Sequence, residues 1–140
     1  MLKQILFGGE SGLSPLTNAG LTLLRIFAGV ALALGHGIGK LPPAAGFIER
    51  TGQMGFPAPT LFAWAAALSE FLGGAFLALG LFTRVSSFFI ACTMLTALLG
   101  VHLRDPFNKQ ELAFLYLFIA LAFLLKGASD WSVDAFLRRK

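Results

Sequence analysis

The 140-residue chain is small and strongly apolar: 56% of its residues are hydrophobic, 15 are Phe, and only 13% are charged. A water-soluble protein of this length lacks the interior volume to bury so much apolar surface, whereas a lipid bilayer imposes no such limit. The net charge of +4 is modest and spread along the chain, so no basic patch for nucleic acid is present. These bounds predict an integral membrane protein with one transmembrane domain over residues 1–140.

Four segments are long and apolar enough to cross the bilayer as helices, which takes about 20 residues each. Ser14 and Pro15 supply a cap and a first-turn proline for the first of them. Short connections make neighbouring helices antiparallel, and alternating strand patterns are absent. The predicted fold class is therefore all-α, an integral membrane four-helix antiparallel bundle. The predicted spans are residues 16–39, 60–81, 84–101 and 109–126.

The remaining segments are predicted to lie at the membrane surface. Residues 41–59 would form a short helix and a turn that cover the bundle mouth as a lid. The tail after residue 128 would form an interfacial helix, with Arg138, Arg139 and Lys140 toward anionic lipid, or else an ordinary solvated tail. Lys and Arg outside the spans or at their ends number six on one side and four on the other. This bias favours a multi-pass membrane protein with both termini in the cytoplasm.

Two ionisable residues fall deep inside the predicted spans, and we predict that they form an ion pair. Arg25 lies about 14 Å into the first span and Glu70 about 15 Å into the antiparallel second span, at 1.5 Å per residue. A lone charge at this depth is costly, and a charge-assisted hydrogen bond would offset much of the cost. Gly73 and Gly74 share the face of Glu70 and permit close helix approach. The pair would act as a structural staple or as the floor of a functional site.

A second polar cluster is predicted at the outer mouth of the bundle. His36 and Lys40 end the first span there, His102 ends the third span, and Arg104 and Glu111 follow within ten residues. These side chains could ring one pocket between the helices. In that pocket His36, His102 and Glu111 are the candidate catalytic residues for proton transfer, and Lys40 and Arg104 would attract an anion.

Several of these residues have simpler alternatives. Asn108 and Glu111 match a helix-capping pattern, and the histidines could be polar interface residues or, with little support from spacing, ligands of haem or a metal. Cys92 is the only cysteine, so the chain forms no internal disulfide, and we predict that it is a small buried hydrophobe.

A quinone suits the predicted pocket better than haem or a metal does, because it is apolar and exchanges protons through its oxygens. No cofactor is evident in the chain, so the electrons would come from a partner.

The order of several short stretches resembles the DoxX family of small bacterial inner-membrane proteins. The stretches are "LLRIFAGVALALGHGIGKL", "MGFPAPTLFAWAAALSE", "EFLGGAFLALGLFTR", "HLRDPFNKQELAFLYL" and "GASDWSVD". The resemblance covers about residues 20 to 135, and it implies a four-helix membrane bundle. The residues that match the family pattern are Arg25, His36, Lys40, Glu70, Gly73, Gly74, Arg84, His102 and Glu111.

The resemblance implies a link to quinones, sulfur oxyanions or thiol stress. Members of the family are associated with the small subunit of a thiosulfate:quinone oxidoreductase, with redox-stress complexes containing superoxide dismutase and a sulfurtransferase, and with responses to quinones or catechols. We therefore expect a subunit or accessory protein that works with a protein partner in quinone-linked redox metabolism or redox-stress defence. The alternatives are a membrane scaffold that recruits soluble redox enzymes and a small-molecule transporter, which would need a homo-oligomer.

Overall fold

The structure is a computed structural model that describes residues 2–139, and its regular elements within that range are helices. Four helical segments are long and apolar enough to cross a membrane. They are the first span Pro15–Lys40, the second span Pro59–Leu79, the third span Thr83–Val101 and the fourth span Phe107–Lys126. The predicted all-α membrane bundle is thus confirmed. Shorter helices are Leu2–Phe7, Ala45–Gln53 (the outer helix) and Val133–Arg138 (the C-terminal helix).

Local sequence signals set where the spans begin. The Ser14 hydroxyl accepts a hydrogen bond of 3.2 Å from the Thr17 amide, and Pro15 occupies the first turn. The fourth span begins at Phe107, directly after Pro106, and has no side-chain cap. Asn108 therefore lies within the first turn rather than before it. The capping alternative for Asn108 and Glu111 is wrong, because Pro106 fixes the start of the helix two residues earlier.

Glycines allow the first and second spans to cross at backbone contact. A Cβ atom at Gly29 would lie 2.5 Å from the Gly74 carbonyl oxygen, and one at Gly37 would lie 2.5 Å from the Phe71 amide nitrogen. Each span has a π-helical turn here, Ala33–Gly37 in the first and Ser69–Gly73 in the second, and the two turns pack together. Substitution of any glycine at this crossing would force the helices apart.

All four spans contribute to one apolar core, and their other faces are exposed. Leu32, Leu77, Ile90 and Phe123 are each no more than 2% exposed, one from every span. The exposed faces carry large apolar side chains, as expected of surfaces that meet lipid. Cys92 is exposed on the third span, so the prediction that it is buried is wrong. In a bilayer an apolar residue needs no burial within the protein, and the apolar pattern alone does not distinguish core from lipid.

The first span starts and the second span stops at the same end of the bundle, here called the terminal end. The segment after the fourth span folds back over this end. The Asp134 carboxylate accepts hydrogen bonds of 2.8 and 2.9 Å from the amides of Phe82 and Thr83, and its own amide donates to the Gly80 carbonyl at 2.8 Å. A carboxylate more than 50 residues away in sequence therefore caps the third span. We call this set of contacts the tail clamp.

A second carboxylate of the tail holds the chain before the first span. Asp130 accepts hydrogen bonds from the Asn18 side chain and from the amides of Gly12 and Leu13, at 3.1 to 3.3 Å. The Asn18 side chain in turn accepts from the Asp130 amide at 3.0 Å. Both ends of the chain are thereby tied to the same end of the bundle.

The tail includes the short helix that the sequence predicts, and part of its positive charge is used within the protein. Trp131 and Phe136 are 53% and 58% exposed, whereas the Arg138 guanidinium donates to the Phe7 carbonyl at 3.1 Å. Arg139 is exposed, and Lys140 lies outside the described residues. The location of this helix at headgroup depth stays a prediction.

We expect Asp134→Asn to lower the free energy of unfolding by about 2–3 kcal/mol, because one buried amide loses its acceptor and the charge beside Arg25 is removed. Thermal and denaturant unfolding of the purified protein in detergent, followed by circular dichroism, measure this. The matched control is Glu10→Gln, whose carboxylate pairs with Lys126 at 3.0 Å and is 68% exposed. That change should cost less than about 1 kcal/mol. Equal effects of the two substitutions would contradict the tail clamp.

The Asp130 contacts predict an acid-sensitive contribution to stability. The hydrogen bond from the Asn18 side chain, with those from the Leu13 and Gly12 amides and the charge of Arg139, lowers the pKa of Asp130 below its ordinary value of 3.8. A carboxyl group with a lowered pKa stabilises the fold fully above the ordinary value and loses that effect as pH falls through the folded value. Asn18→Leu should therefore flatten the decline of Tm below about pH 4. Parallel Tm curves for the two proteins between neutral and acid pH would count against this account.

Candidate functional site

Arg25 neutralises a helix end and not an acid within the membrane. Its Nη1 atom donates to the carbonyls of Leu77 and Ala78 at 2.8 and 2.7 Å, and its Nη2 atom donates to the Trp131 carbonyl at 3.0 Å. Leu77 and Ala78 belong to the last turn of the second span, where backbone carbonyls lack partners within the helix. The charge of Asp134 in the tail clamp acts on the same guanidinium.

The predicted ion pair between Arg25 and Glu70 is therefore wrong, and helix geometry supplies the reason. A side chain on an α-helix leans toward the N-terminus of its own helix. Because the two spans are antiparallel, Arg25 extends toward the terminal end and Glu70 extends toward the opposite end. Similar depth of the two Cα atoms in the membrane consequently does not bring the charged groups together.

Gly80 makes room for this arrangement. Its φ of 68° is in the left-handed region that ends helices, and a Cβ atom there would collide with the Arg25 guanidinium. The sequence "LALGLFTR" therefore ends the second span at Gly80 and also leaves the space that the Arg25 guanidinium of the first span occupies.

The partner of Glu70 is Lys40. The Lys40 Nζ atom lies 2.6 and 2.7 Å from the two carboxylate oxygens of Glu70, at the bundle end opposite the terminal end, here called the loop end. The Glu70 side chain is only 4% exposed, whereas that of Lys40 is 38% exposed. Lys40 also lies 5.8 Å above the centre of the Phe47 ring, which belongs to the outer helix. The positive charge predicted to attract an anion is thus already balanced by a buried acid.

Two further side chains extend this pair into a polar cluster, defined here as His36, Lys40, Glu70 and Tyr116. The His36 ring packs edge-on against the Tyr116 ring, with centroids 5.9 Å apart. Tyr116 lies on the fourth span. Three spans thereby contribute to the cluster. Sequence reasoning missed Tyr116, although it is the only tyrosine in the chain and lies within a predicted span.

The other predicted site residues lie in or beside the turn between the third and fourth spans, with Glu111 near the start of the fourth span. His102 Nδ1 lies 2.8 Å from a carboxylate oxygen of Asp105, and the Gln110 side chain donates to the carbonyls of both residues at 2.7 Å. Arg104 and Glu111 are exposed, and their side chains make no hydrogen bond or ion pair with another residue of the described chain. Within residues 2–139, no hydrogen bond or ring contact joins this turn to the polar cluster.

The connection between the first and second spans covers the loop end, as predicted. The outer helix packs against the start of the second span, where a Cβ atom at Gly52 would lie 3.2 Å from Pro59. Met54 lies against Gly100 in the third span so closely that any side chain at Gly100 would collide with its sulfur. Phe47 from the same helix lies beneath Lys40. The polar cluster is therefore shielded on the side of this connection.

The polar cluster provides proton donors and acceptors around a buried carboxylate, with His36, Lys40 and Tyr116 half-buried. A carboxylate, an ammonium group, a phenol and an imidazole lie together, and each can gain or release a proton. Among the described residues, no three His, Cys, Asp or Glu side chains are grouped as metal ligands. The chemistry that these four residues support directly is proton exchange with a bound molecule.

Comparison with known proteins gives two matches to this chain. The model of the DoxX family matches residues 20–103. A protein of Bacillus subtilis (strain 168) named "Putative oxidoreductase CatD" is 30% identical over 119 residues, which cover 84% of this chain and 87% of that protein. No solved structure matches the chain significantly. The family match spans the first three membrane helices, including Arg25, His36, Lys40 and Glu70.

A double-mutant cycle should detect the pair in the polar cluster. Lys40→Met leaves the buried Glu70 carboxylate without its cation, so the combination with Glu70→Gln should be less destabilising than the sum of the single changes. We expect a coupling of about 1–2 kcal/mol, reduced from that of a fully buried pair because Lys40 is partly exposed. Unfolding of all four proteins in the same detergent measures it. The exposed pair of Lys126 and Glu10 is the control and should couple more weakly. Additive effects at residues 40 and 70 would contradict the assignment.

Proposed function

The chain belongs to the DoxX family of membrane proteins, and we propose that it is a subunit or accessory protein of quinone-linked redox metabolism or redox-stress defence. It would lie in the bacterial inner membrane as a multi-pass protein with both termini in the cytoplasm. The name of the Bacillus subtilis relative supports an oxidoreductase role. The excess of Lys and Arg that the sequence places on the side of the termini supports the orientation.

The observation that carries the proposal is the burial of Glu70 beside Lys40, with Tyr116 and His36 in the same cluster. Ionisable groups inside membrane helices are costly and point to a functional site. Here the crossing of the spans is already held by glycines, and the end of the second span is already held by Arg25. The Lys40–Glu70 pair is therefore not needed to explain either packing feature, which favours a role in chemistry.

Reduction of a quinone to a quinol takes two electrons and two protons. In the proposed reaction the polar cluster supplies protons: Tyr116 or His36 donates to a quinone oxygen, and the Lys40–Glu70 pair restores the proton. The turn containing His102 and Arg104, with Glu111 near the start of the fourth span, lies at the loop end and would form the approach for an anionic substrate such as thiosulfate. In this proposal the proton-transfer residues are His36, Tyr116 and the Lys40–Glu70 pair, in place of the predicted set His36, His102 and Glu111.

The electrons would come from a partner polypeptide or a soluble redox enzyme. The sequence contains no dinucleotide fingerprint, c-type haem motif or iron–sulfur spacing that would bind an electron carrier. The chain would therefore position the quinone and exchange protons with it, while the partner oxidises the donor. A homo-oligomer is compatible with this division of roles.

Thiosulfate-dependent reduction of decylubiquinone by membranes of the source cells tests the proposal. In a deletion strain that carries variant copies, Glu70→Gln and Tyr116→Phe should each lower the rate by on the order of 100-fold, as expected when a proton-transfer group is lost. Tyr116→Phe keeps the ring that packs against His36 and so preserves the fold. The control Glu49→Gln alters an exposed residue of the outer helix and should leave the rate within about two-fold, because it removes no proton donor of the cluster.

Normal rates in both cluster variants, with normal protein levels, would exclude proton transfer by this cluster. If partner proteins still co-purify with those variants, the result would favour the scaffold alternative. If the deletion strain itself reduces the quinone at the normal rate, the link to this reaction is wrong.

A further inference from the structure

A groove of about 320 Å³ lies between the second and third spans, away from the polar cluster. Cavities of this size are at the lower end of the range that binds small molecules. Leu72 and Phe89 at its edges are 42% and 54% exposed on the membrane-facing surface, so the groove opens sideways toward lipid. The lining residues are Ala65, Leu68, Ser69, Leu72, Gly73, Phe76, Phe82, Val85, Ser86 and Phe89.

A polar side chain without a partner lies among these apolar residues. Ser69 is 8% exposed, and its hydroxyl oxygen is fully buried with no hydrogen-bond partner in the described part of the chain. Ser86, on the third span, is 4% exposed and lines the same groove. A buried hydroxyl in an apolar setting is costly unless it forms a hydrogen bond. An oxygen atom of a molecule in this groove would satisfy the Ser69 hydroxyl when that side chain rotates toward the groove that it lines.

The lining also indicates what kind of molecule would fit. All ten residues are uncharged, so neither the phosphate of a phospholipid nor the carboxylate of a fatty acid would find a counter-charge. Phe76, Phe82 and Phe89 supply three phenyl rings, which pack well against another flat ring. These features together favour an uncharged ring compound over a lipid head group.

We propose that this groove is a binding site for a flat, uncharged ring compound that carries carbonyl or hydroxyl oxygens and enters from the bilayer. The ring lies against the phenyl groups, and an oxygen forms a hydrogen bond with Ser69. Ser69 and Glu70 are neighbours in one π-helical turn, but Glu70 pairs with Lys40 of the first span while the groove faces the third span. The proposal concerns binding alone and stands independently of proton transfer in the polar cluster.

Photolabelling of the full-length protein in phosphatidylcholine nanodiscs tests the site, with an azidobenzoquinone that carries a decyl chain as the probe. Mass spectrometry of peptides should find the label between residues 65 and 89. Ala65→Phe fills the groove from its exposed edge and should reduce labelling by about ten-fold, whereas loss of one hydrogen bond in Ser69→Ala should reduce it by roughly three- to ten-fold. The matched control is Ala122→Phe, which adds the same ring at an exposed alanine of the fourth span and should leave labelling unchanged.

Competition identifies the chemistry of the occupant. Excess decylubiquinone should suppress the label, while decylbenzene, which has a ring and chain but no oxygen, should compete weakly. Leu72→Trp replaces Ala65→Phe if the latter does not fold, as judged by gel filtration and circular dichroism. Equal labelling of the groove-filling and control variants, or equal competition by decylbenzene, would overturn the proposal. Labelling at His36 or Tyr116 instead would overturn it while supporting the proposed function.

Discussion

The Arg25 guanidinium lies where three parts of the chain meet: the first span that carries it, the last turn of the second span, and the tail after the fourth span. Its three hydrogen bonds go to the backbone carbonyls of Leu77, Ala78 and Trp131 near the terminal end. Asp134 balances the charge and at the same time caps the third span. Removal of Arg25 would take this donor from the Ala78 and Trp131 carbonyls, and removal of Asp134 would leave the amides of Phe82 and Thr83 without their acceptor.

At the loop end, the same antiparallel geometry gives a different result. Glu70 leans away from Arg25 and meets Lys40 at the end of the first span. The glycine crossing brings the two π-helical turns into contact, and a π-helical turn is a frequent feature of functional sites. Each intramembrane charge thus finds its counter-charge or helix end on the side toward which its own helix directs it. The Arg25 contact and the Lys40–Glu70 pair therefore lie at different levels of the second span.

The sequence was sufficient to predict the elements that depend on local pattern. Length and hydropathy identify four spans, Ser14 and Pro15 identify the first helix start, and the order of motifs identifies the family. The predicted pairing of Arg25 with Glu70 is wrong because it rests on the depth of the two Cα atoms along the helix axes. The direction in which each side chain leaves its helix separates the two charged groups. The direction of the Glu70 side chain favours Lys40 as its partner, because Glu70 points toward the loop end and Lys40 lies at that end of the first span.

Other features could not be obtained from pattern at all. The cap of the third span comes from Asp134, and no local signal joins it to Phe82 and Thr83. Cys92 illustrates a general limit, because apolar residues that face lipid and apolar residues that face the core obey the same composition rule. Tyr116 joins the polar cluster because the fourth span packs beside the first. The spacing of residues within one helix does not predict which other helix that helix contacts.

The turn Ser69–Gly73 joins the two candidate sites of this protein. Gly73 packs against the third span, where a Cβ atom would lie 3.3 Å from Ile90, and Gly74 packs against the first span, where a Cβ atom would lie 2.8 Å from the Gly29 carbonyl. The second span is therefore held closely on both sides at one level. A wider helical turn at that level presents Ser69 to the lateral groove and Glu70 to Lys40. A molecule in the groove that shifts Ser69 would also shift Glu70. The two residues belong to one turn, and close backbone contacts on both sides of that turn keep its residues from moving independently of one another.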